Sequence, residues 1–315
     1  INTGLVNSTV GFTALAGIVV DDGGNTGSGS AIGPISLTSD YVFFSGLLSG
    51  RTLGAVTLTG GTGINSTSDN AVKFDGKIAA TTIASITASA TAGNVVFAPT
   101  SITGIGTKAT NNGITPMATI GAINLTTAGT NSGGDITFGN GSVYDVNTGD
   151  ISITAGHKFF VEQAGTVLDN PGFVTINFAT SGDIGNLVAT TTTGDINSTL
   201  VIQGNAGNIT HIAGSAVVDK LDTVGGVVGD LARFGNISTT QTIWGTRGVT
   251  TLETAGQNAD GTAKALPDFV AGGVTYKLLP SGKIDATLNY AGAPTAAGDA
   301  FIAKTGGGNA TIMYN

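Results

Sequence analysis

Apolar residues in this chain come in short runs separated by turn dipeptides, and glycine interrupts almost every window of helical length. Asp22-Gly23, Asp75-Gly76, Asn112-Gly113, Asn140-Gly141 and Asp260-Gly261 suit backbone positions with positive φ. Only the stretch from Lys77 to Ala92 runs beyond fifteen residues without a glycine. Its isoleucines and threonines favour a pleated strand, where β-branched side chains pack well. The pattern predicts an all-β chain of many short strands.

A recurring triplet of glycine, Asp or Asn, and an aliphatic organises these strands. It occurs at Gly93-Asn94-Val95, Gly134-Asp135-Ile136, Gly149-Asp150-Ile151, Gly182-Asp183-Ile184, Gly194-Asp195-Ile196, Gly207-Asn208-Ile209, Gly229-Asp230-Leu231 and Gly235-Asn236-Ile237. The spacing is too irregular for a strict repeat, but it suits coils joined by loops of variable length. In a parallel β-helix the glycine would take the left-handed bend, the Asx would bond the local backbone, and the aliphatic would enter a stacked core. The expected architecture is therefore a parallel β-helix over residues 76–255, with a multi-domain antiparallel β-sandwich as the alternative. Residues 1–75 read as an N-terminal cap or strand-exchange segment, with Asp22 to Ser30 as a linker. Residues 256–315 read as a small antiparallel module. There Val274 to Leu279 and Lys283 to Tyr290 are expected to form a hairpin around Pro280-Ser281-Gly282, with a second pair from Phe301 to Lys304 and Ala310 to Tyr314.

Composition narrows the functional classes. The chain has 315 residues, 51 glycines, no cysteine, 10% charged residues and a formal net charge of −8, against an average of about 25% charged residues. Twelve Lys and Arg in total provide no basic stripe for phosphates, which argues against a nucleic-acid partner. No run reaches the roughly 18 apolar residues of a spanning helix. Without cysteine there are neither disulfides nor thiolate metal sites. The balance of threonine, asparagine and glycine suits a prokaryotic exported protein, and a start at Ile1 suits a processed chain or a fragment.

Segments such as GDITFGNGSVYDVNTGDISITAG and TTTGDINSTLVIQGNAGNITHIAG resemble the β-helical regions of filamentous-haemagglutinin-like adhesins and autotransporter passengers, and Thr/Asn/Gly-rich surface-layer proteins. The resemblance covers roughly the middle 180 residues. It implies an extracellular scaffold or adhesive surface protein without catalytic machinery, and it transfers no functional residue to any position here.

Candidate chemistry is sparse. Asp135, Asp150, Asp183 and Asp195 could stack on adjacent coils as a β-helix hydrolase would require, yet each follows a turn glycine, where Asp is a structural choice. His157 and His211 lack a metal-pairing neighbour and are expected to face solvent or to be hydrogen-bonded. The best calcium candidate is Asp21, Asp22 and Asn25, with oxygen ligands on one turn; otherwise no cofactor is expected, and no phosphate-binding loop is present. Eight N-x-[ST] sequons permit glycosylation without signalling it. Trp244 is a carbohydrate platform or, more ordinarily for an aromatic on a strand, a core or interface anchor. The expected function is an extracellular structural protein that self-assembles into a surface layer or filament through strand contacts. Leu5 and Val6 at one end, and Ile312 and Tyr314 at the other, are the assembly candidates. A surface adhesin or secreted passenger domain that binds cell-surface glycans is the alternative, and a carbohydrate-active β-helix enzyme the third reading.

Overall fold

The computed structural model describes residues 6–8, 12–14, 17–19, 31–61, 70–105, 117–127, 134–156, 158–161, 167–170, 172–192, 194–214, 216–221, 227–254, 269–271, 274–279, 282–294, 301–305 and 309–315. Among them there is no helix, and the chain winds as a parallel β-helix. No helix of the described residues is long and apolar enough to cross a membrane.

Two long parallel sheets form the walls. One has thirteen strands and the other eleven. Successive coils lay Ile35–Ser39, Leu47–Gly60, Lys77–Ala90, Ala118–Thr127, Val146–Ala155, Leu187–Thr191, Ile209–Ala213, Thr250–Thr254 and Phe301–Lys304 side by side in the first sheet. Val42–Phe44, Asn70–Phe74, Asn94–Phe97, Ile136–Phe138, Val174–Thr180, Ile196–Ile202, Ile237–Ile243, Ile284–Tyr290 and Ala310–Tyr314 follow in the second. The fourteen-residue strands Leu47–Gly60 and Lys77–Ala90 bend to supply a third side as well. In later coils that side shrinks to single bridges joining Thr148, Ile184, Ala206, Arg247 and Pro294. The expected strand at Lys77 is thus present, and parallel pairing also reaches outside residues 76–255, from Val6 against Leu37 to Leu288 against Tyr314.

The core follows from this stacking. Period-two alternation turns one set of side chains inward, and parallel register then places like on like from coil to coil. Val42, Val72, Val95, Ile136, Val174, Ile196, Ile237 and Ile284 form one aliphatic rank, all buried. Beside it Phe44, Phe74, Phe97, Phe138 and Phe178 stack in a row, with successive ring centroids 4.9, 5.3, 6.2 and 4.8 Å apart. Outward positions of the first sheet carry hydroxyls and amides in two ranks. The ranks run through Ser36, Thr57, Thr87, Asn124 and Ser152, and through Thr38, Thr59, Ser89, Thr126 and Thr154. These residues keep a chain of low charge wet on one side without breaking the pleat.

Coil length varies, and among the described residues the antiparallel insertions leave from one corner. Asp183 and Asn205, equivalent residues of adjacent coils, are 22 residues apart, whereas Asn147 and Asp183 are 36 apart and Asn205 and Thr246 are 41 apart. The extra residues lie between a first-sheet strand and the next second-sheet strand. Lys158–Val161 and Val167–Asn170 make one antiparallel hairpin there. Ala216–Leu221 and Val227–Phe234 leave the next insertion-bearing coil, Phe269–Ala271 and Val274–Leu279 leave the one after it, and together they form a four-stranded antiparallel sheet.

This pairing corrects two local expectations. Val274–Leu279 does not form a hairpin with the strand after it; it pairs antiparallel with Ala216–Leu221 of the preceding insertion. Ile284–Tyr290 instead joins the parallel sheet, since Ile284, Ala286 and Leu288 continue the buried ranks. Likewise Phe301–Lys304 and Ala310–Tyr314 do not pair with each other; they add in parallel to Thr250–Thr254 and Ile284–Tyr290.

Glycine has two distinct roles at the corners. Gly93 (φ +81°), Gly194 (φ +150°) and Gly235 (φ +92°) take the left-handed bend expected of the triplet. Gly149 has ordinary φ and is required for space: a Cβ there would collide with the carbonyl oxygen of Gly121 one coil away. Replacing Gly149 with alanine is expected to destabilise the protein by about 1–3 kcal/mol, read as a lower urea midpoint. Ser152→Ala, which removes an outward hydroxyl of the same strand, is expected to leave the midpoint within about 0.5 kcal/mol of wild type.

Candidate functional site

The triplet aspartates do not stack on one another: Asp183, Asp150, and Asp135 with Asp195 fall in three separate ladders, and one carboxylate oxygen of each accepts from the backbone. Asn147 Oδ1 accepts the N–H of Asp183 at 2.8 Å, Asp183 Oδ1 that of Asn205 at 2.6 Å, and Asn205 Oδ1 that of Thr246 at 2.9 Å. A second ladder three residues on runs from Asp150 to Asn186, Asn208 and Val249, at 2.8, 3.0 and 2.9 Å. A third caps the start of the eleven-stranded sheet. Asn94 serves Asp135, Asp135 serves Phe173, Asp195 serves Asn236, and Asn236 serves Lys283. Each side chain satisfies an amide that the corner leaves without a sheet partner, which is why Asx is needed there. Burial raises the pKa of Asp135, and the bond from the Phe173 N–H opposes this. The Gly229-Asp230-Leu231 triplet lies in the inserted strand Val227–Phe234, away from these ladders.

No three His, Asp or Glu residues converge on a possible metal position among the described residues. Asp21, Asp22 and Asn25 lie outside the described residues, as do His157 and Leu5. Val6 begins a strand that pairs with Leu37.

His211 departs from expectation. It is fully buried in the inward rank between Ala189 and Leu252, and neither ring nitrogen has a hydrogen-bond partner among the described residues. Desolvation lowers its pKa from 6.5 to about 4, so the ring is neutral at pH 7.

A polar cluster that the sequence did not announce fills the interior of the last coils. Ser198 donates to Thr239 at 2.6 Å, and Gln241 Nε2 contacts the same hydroxyl at 3.3 Å. Tyr290 donates to Gln241 Oε1 at 2.6 Å, so it accepts from the Thr250 hydroxyl 2.9 Å away. Arg247 is only 2% exposed. Its guanidinium lies 4.1 Å over the Tyr290 ring, while Nη2 donates to the Tyr314 hydroxyl at 2.6 Å. Nε and Nη1 of Arg247 have no partner among the described residues. Burial pushes the Tyr290 phenol up to about 12. The signal in the sequence was the corner spacing: GDIG, GNAG and GTRG align Arg247 with the inward residues Ile184 and Ala206, to which single bridges connect it in turn.

The assembly candidates Ile312 and Tyr314 share one face of their strand, as expected. That face is the core face, because Ile312 aligns with buried Ala286 and Tyr314 with buried Leu288. Arg247 and the Tyr290 ring hold one side of Tyr314, but no further coil follows among the described residues, and Ile312 and Tyr314 are 38% and 57% exposed. Trp244, expected to anchor a core or an interface, stands at a corner and is 52% exposed.

No family model matches the chain, and neither the curated proteins nor the solved structures contain a match.

Two predictions separate structural from chemical roles. If Asp183 serves only as an acceptor, Asp183→Asn keeps its oxygen and is expected to hold thermal stability near wild type, while Asp183→Ala loses about 1–3 kcal/mol. For His211 the unfolded ring takes up a proton below pH 6.5 whereas the folded ring resists until about 4. Its contribution is therefore intact above pH 6.5 and falls as pH drops to 4, by about 3 kcal/mol in all. His211→Leu is expected to flatten that part of the stability–pH curve relative to wild type, as measured by urea unfolding at a series of pH values.

Proposed function

We propose that this chain is an extracellular structural protein whose β-helices stack end to end into a filament or surface layer. The supporting observation is the uncovered core face of the strand Ala310–Tyr314. Ile312 and Tyr314 occupy positions that every earlier coil buries. Covering what remains exposed of each contributes about 1 kcal/mol, which favours a partner that continues the coil.

The fitting partner is a second copy. Val6–Ser8 and Phe12–Ala14 belong to the same two sheets and run in the same sense as Phe301–Lys304 and Ala310–Tyr314. Each of these four strands pairs on one side only among the described residues. Joining one end to the other extends both sheets without reversing a strand. Such head-to-tail contact does not close on itself, and its product is an open fibre. The low surface charge opposes association only weakly, and one oxygen of each ladder aspartate is held by a backbone amide, which supports a scaffolding role.

Negative-stain microscopy and sedimentation of the purified chain test this reading. The expected result is fibres or sheets that grow with concentration. Ile312→Asp, which places a carboxylate on the core face, is expected to leave dispersed particles with an unchanged far-UV spectrum, and removal of residues 309–315 should do the same. A wild-type protein that stays monomeric at every concentration, or an Ile312→Asp variant that polymerises normally, contradicts it.

A further inference from the structure

Trp244 is the sole tryptophan of the chain, and its exposure arises from coil-to-coil substitution. The corner position that follows each second-sheet strand carries Gln203, Trp244 and Ala291 in successive coils, and their amides bond Thr180, Ile202 and Ile243 of the preceding coil. The small side chain at Ala291 leaves a ledge beside the indole. The result is a shallow recess of about 280 Å³ lined by Thr242, Trp244, Asn289, Tyr290, Ala291 and Asn315.

One edge of the recess is a short polar ladder along the helix axis. Asn315 Nδ2 donates to Asn289 Oδ1 at 2.9 Å, and Asn289 Nδ2 donates to Thr242 Oγ1 at 3.3 Å. The ladder fixes the amides without exhausting them. Among the described residues, the second Nδ2 hydrogen of Asn289, the Thr242 hydroxyl hydrogen and the Asn315 Oδ1 have no other partner and are open to a ligand. None of the lining residues is charged.

We infer that this recess binds a pyranose ring of a neutral glycan, its apolar face stacked on Trp244 and its hydroxyls bonded to Asn289, Thr242 and Asn315. The chemistry selects this class for three reasons. An exposed indole attracts a flat, partly apolar partner. Adjacent amide and hydroxyl groups of both donor and acceptor type match neighbouring sugar hydroxyls, which also donate and accept. A lining without cations provides nothing to compensate a sulfate or carboxylate, so anionic glycans are disfavoured. The recess shares Tyr290 and Asn315 with the last coil, but the proposed binding surface is the outer corner at Trp244 and not the uncovered core face.

The lone tryptophan makes the test direct, because all indole fluorescence comes from the recess. Wild-type protein is titrated with cellotetraose, laminaritetraose and lactose, and with a heparin-derived tetrasaccharide as the anionic comparison. The expected result is a saturable change in Trp244 emission with at least one neutral glycan and none with the anionic one. Asn289→Ala is expected to weaken that binding by about tenfold while retaining the wild-type far-UV spectrum and thermal midpoint. Trp244→Ala should abolish saturation-transfer NMR contacts from the same sugar. The inference is overturned if no neutral glycan changes the emission up to its solubility limit, if only the anionic glycan does, or if Asn289→Ala binds as well as wild type. Should Asn289→Ala alter the fold, Asn315→Ala gives the same reading from the far end of the ladder.

Discussion

The main-chain hydrogen bonds between one coil and the next are the constraint on which the rest of this structure depends. They fix parallel register, and parallel register puts each residue directly against its equivalent a coil away. A position is therefore chosen less by its neighbours in sequence than by the residue stacked on it. Phe138 sits on Phe97 because the ring below leaves a slot of that shape. Gly149 sits on Gly121 because the chains approach there too closely for any side chain. Asp183 sits on Asn147 because each corner leaves an amide that the coil before it must receive.

The same constraint explains how insertions are tolerated. A detour is harmless if the chain returns at the register it left, and the contacts show that it does. A Cβ on Gly172 would strike the Gly156 carbonyl oxygen, so the first detour opens and closes at one point, and a Cβ on Gly282 would likewise crowd the Thr254 side chain after the third. Between these points loop length costs little, since closure entropy grows only slowly with length. Detours from different coils then meet on one side and pair with each other.

Legibility in the sequence followed the range of the interactions. The Gly-Asx-aliphatic triplets are local, and they revealed the corners: Val95, Ile136, Ile151, Ile184, Ile196, Ile209 and Ile237 all point inward. The strand partners of Val274–Leu279 and Ala310–Tyr314 are not local. Turn chemistry at Pro280-Ser281-Gly282 suggested a hairpin, but an inserted strand more than fifty residues earlier and a stacked coil won both competitions. The buried polar cluster was hidden for the same reason. Nothing local marks Arg247, Gln241 and Tyr290 as inward, and only register places them in ranks occupied by Ile184, Leu200 and Ile243. His211 was misjudged because the residues that make its surroundings apolar, Ala189 and Leu252, lie in other coils.

The central claim is that separation in space follows the number of coils and not the number of residues between them. The chain has no cysteine, so pairs of cysteines introduced at outward positions of one rank can carry spin labels without background. Thr59 paired in turn with Thr154, Thr190 and Glu253 spans three, four and six coils of the first sheet. Pulsed dipolar spectroscopy is expected to give distances that rise by about 4.8 Å per coil, with the large insertion between Thr190 and Glu253 adding nothing beyond its coils. Distances that track sequence separation, or that fail to increase along the series, would contradict the stacked β-helix and the functional reading built on it.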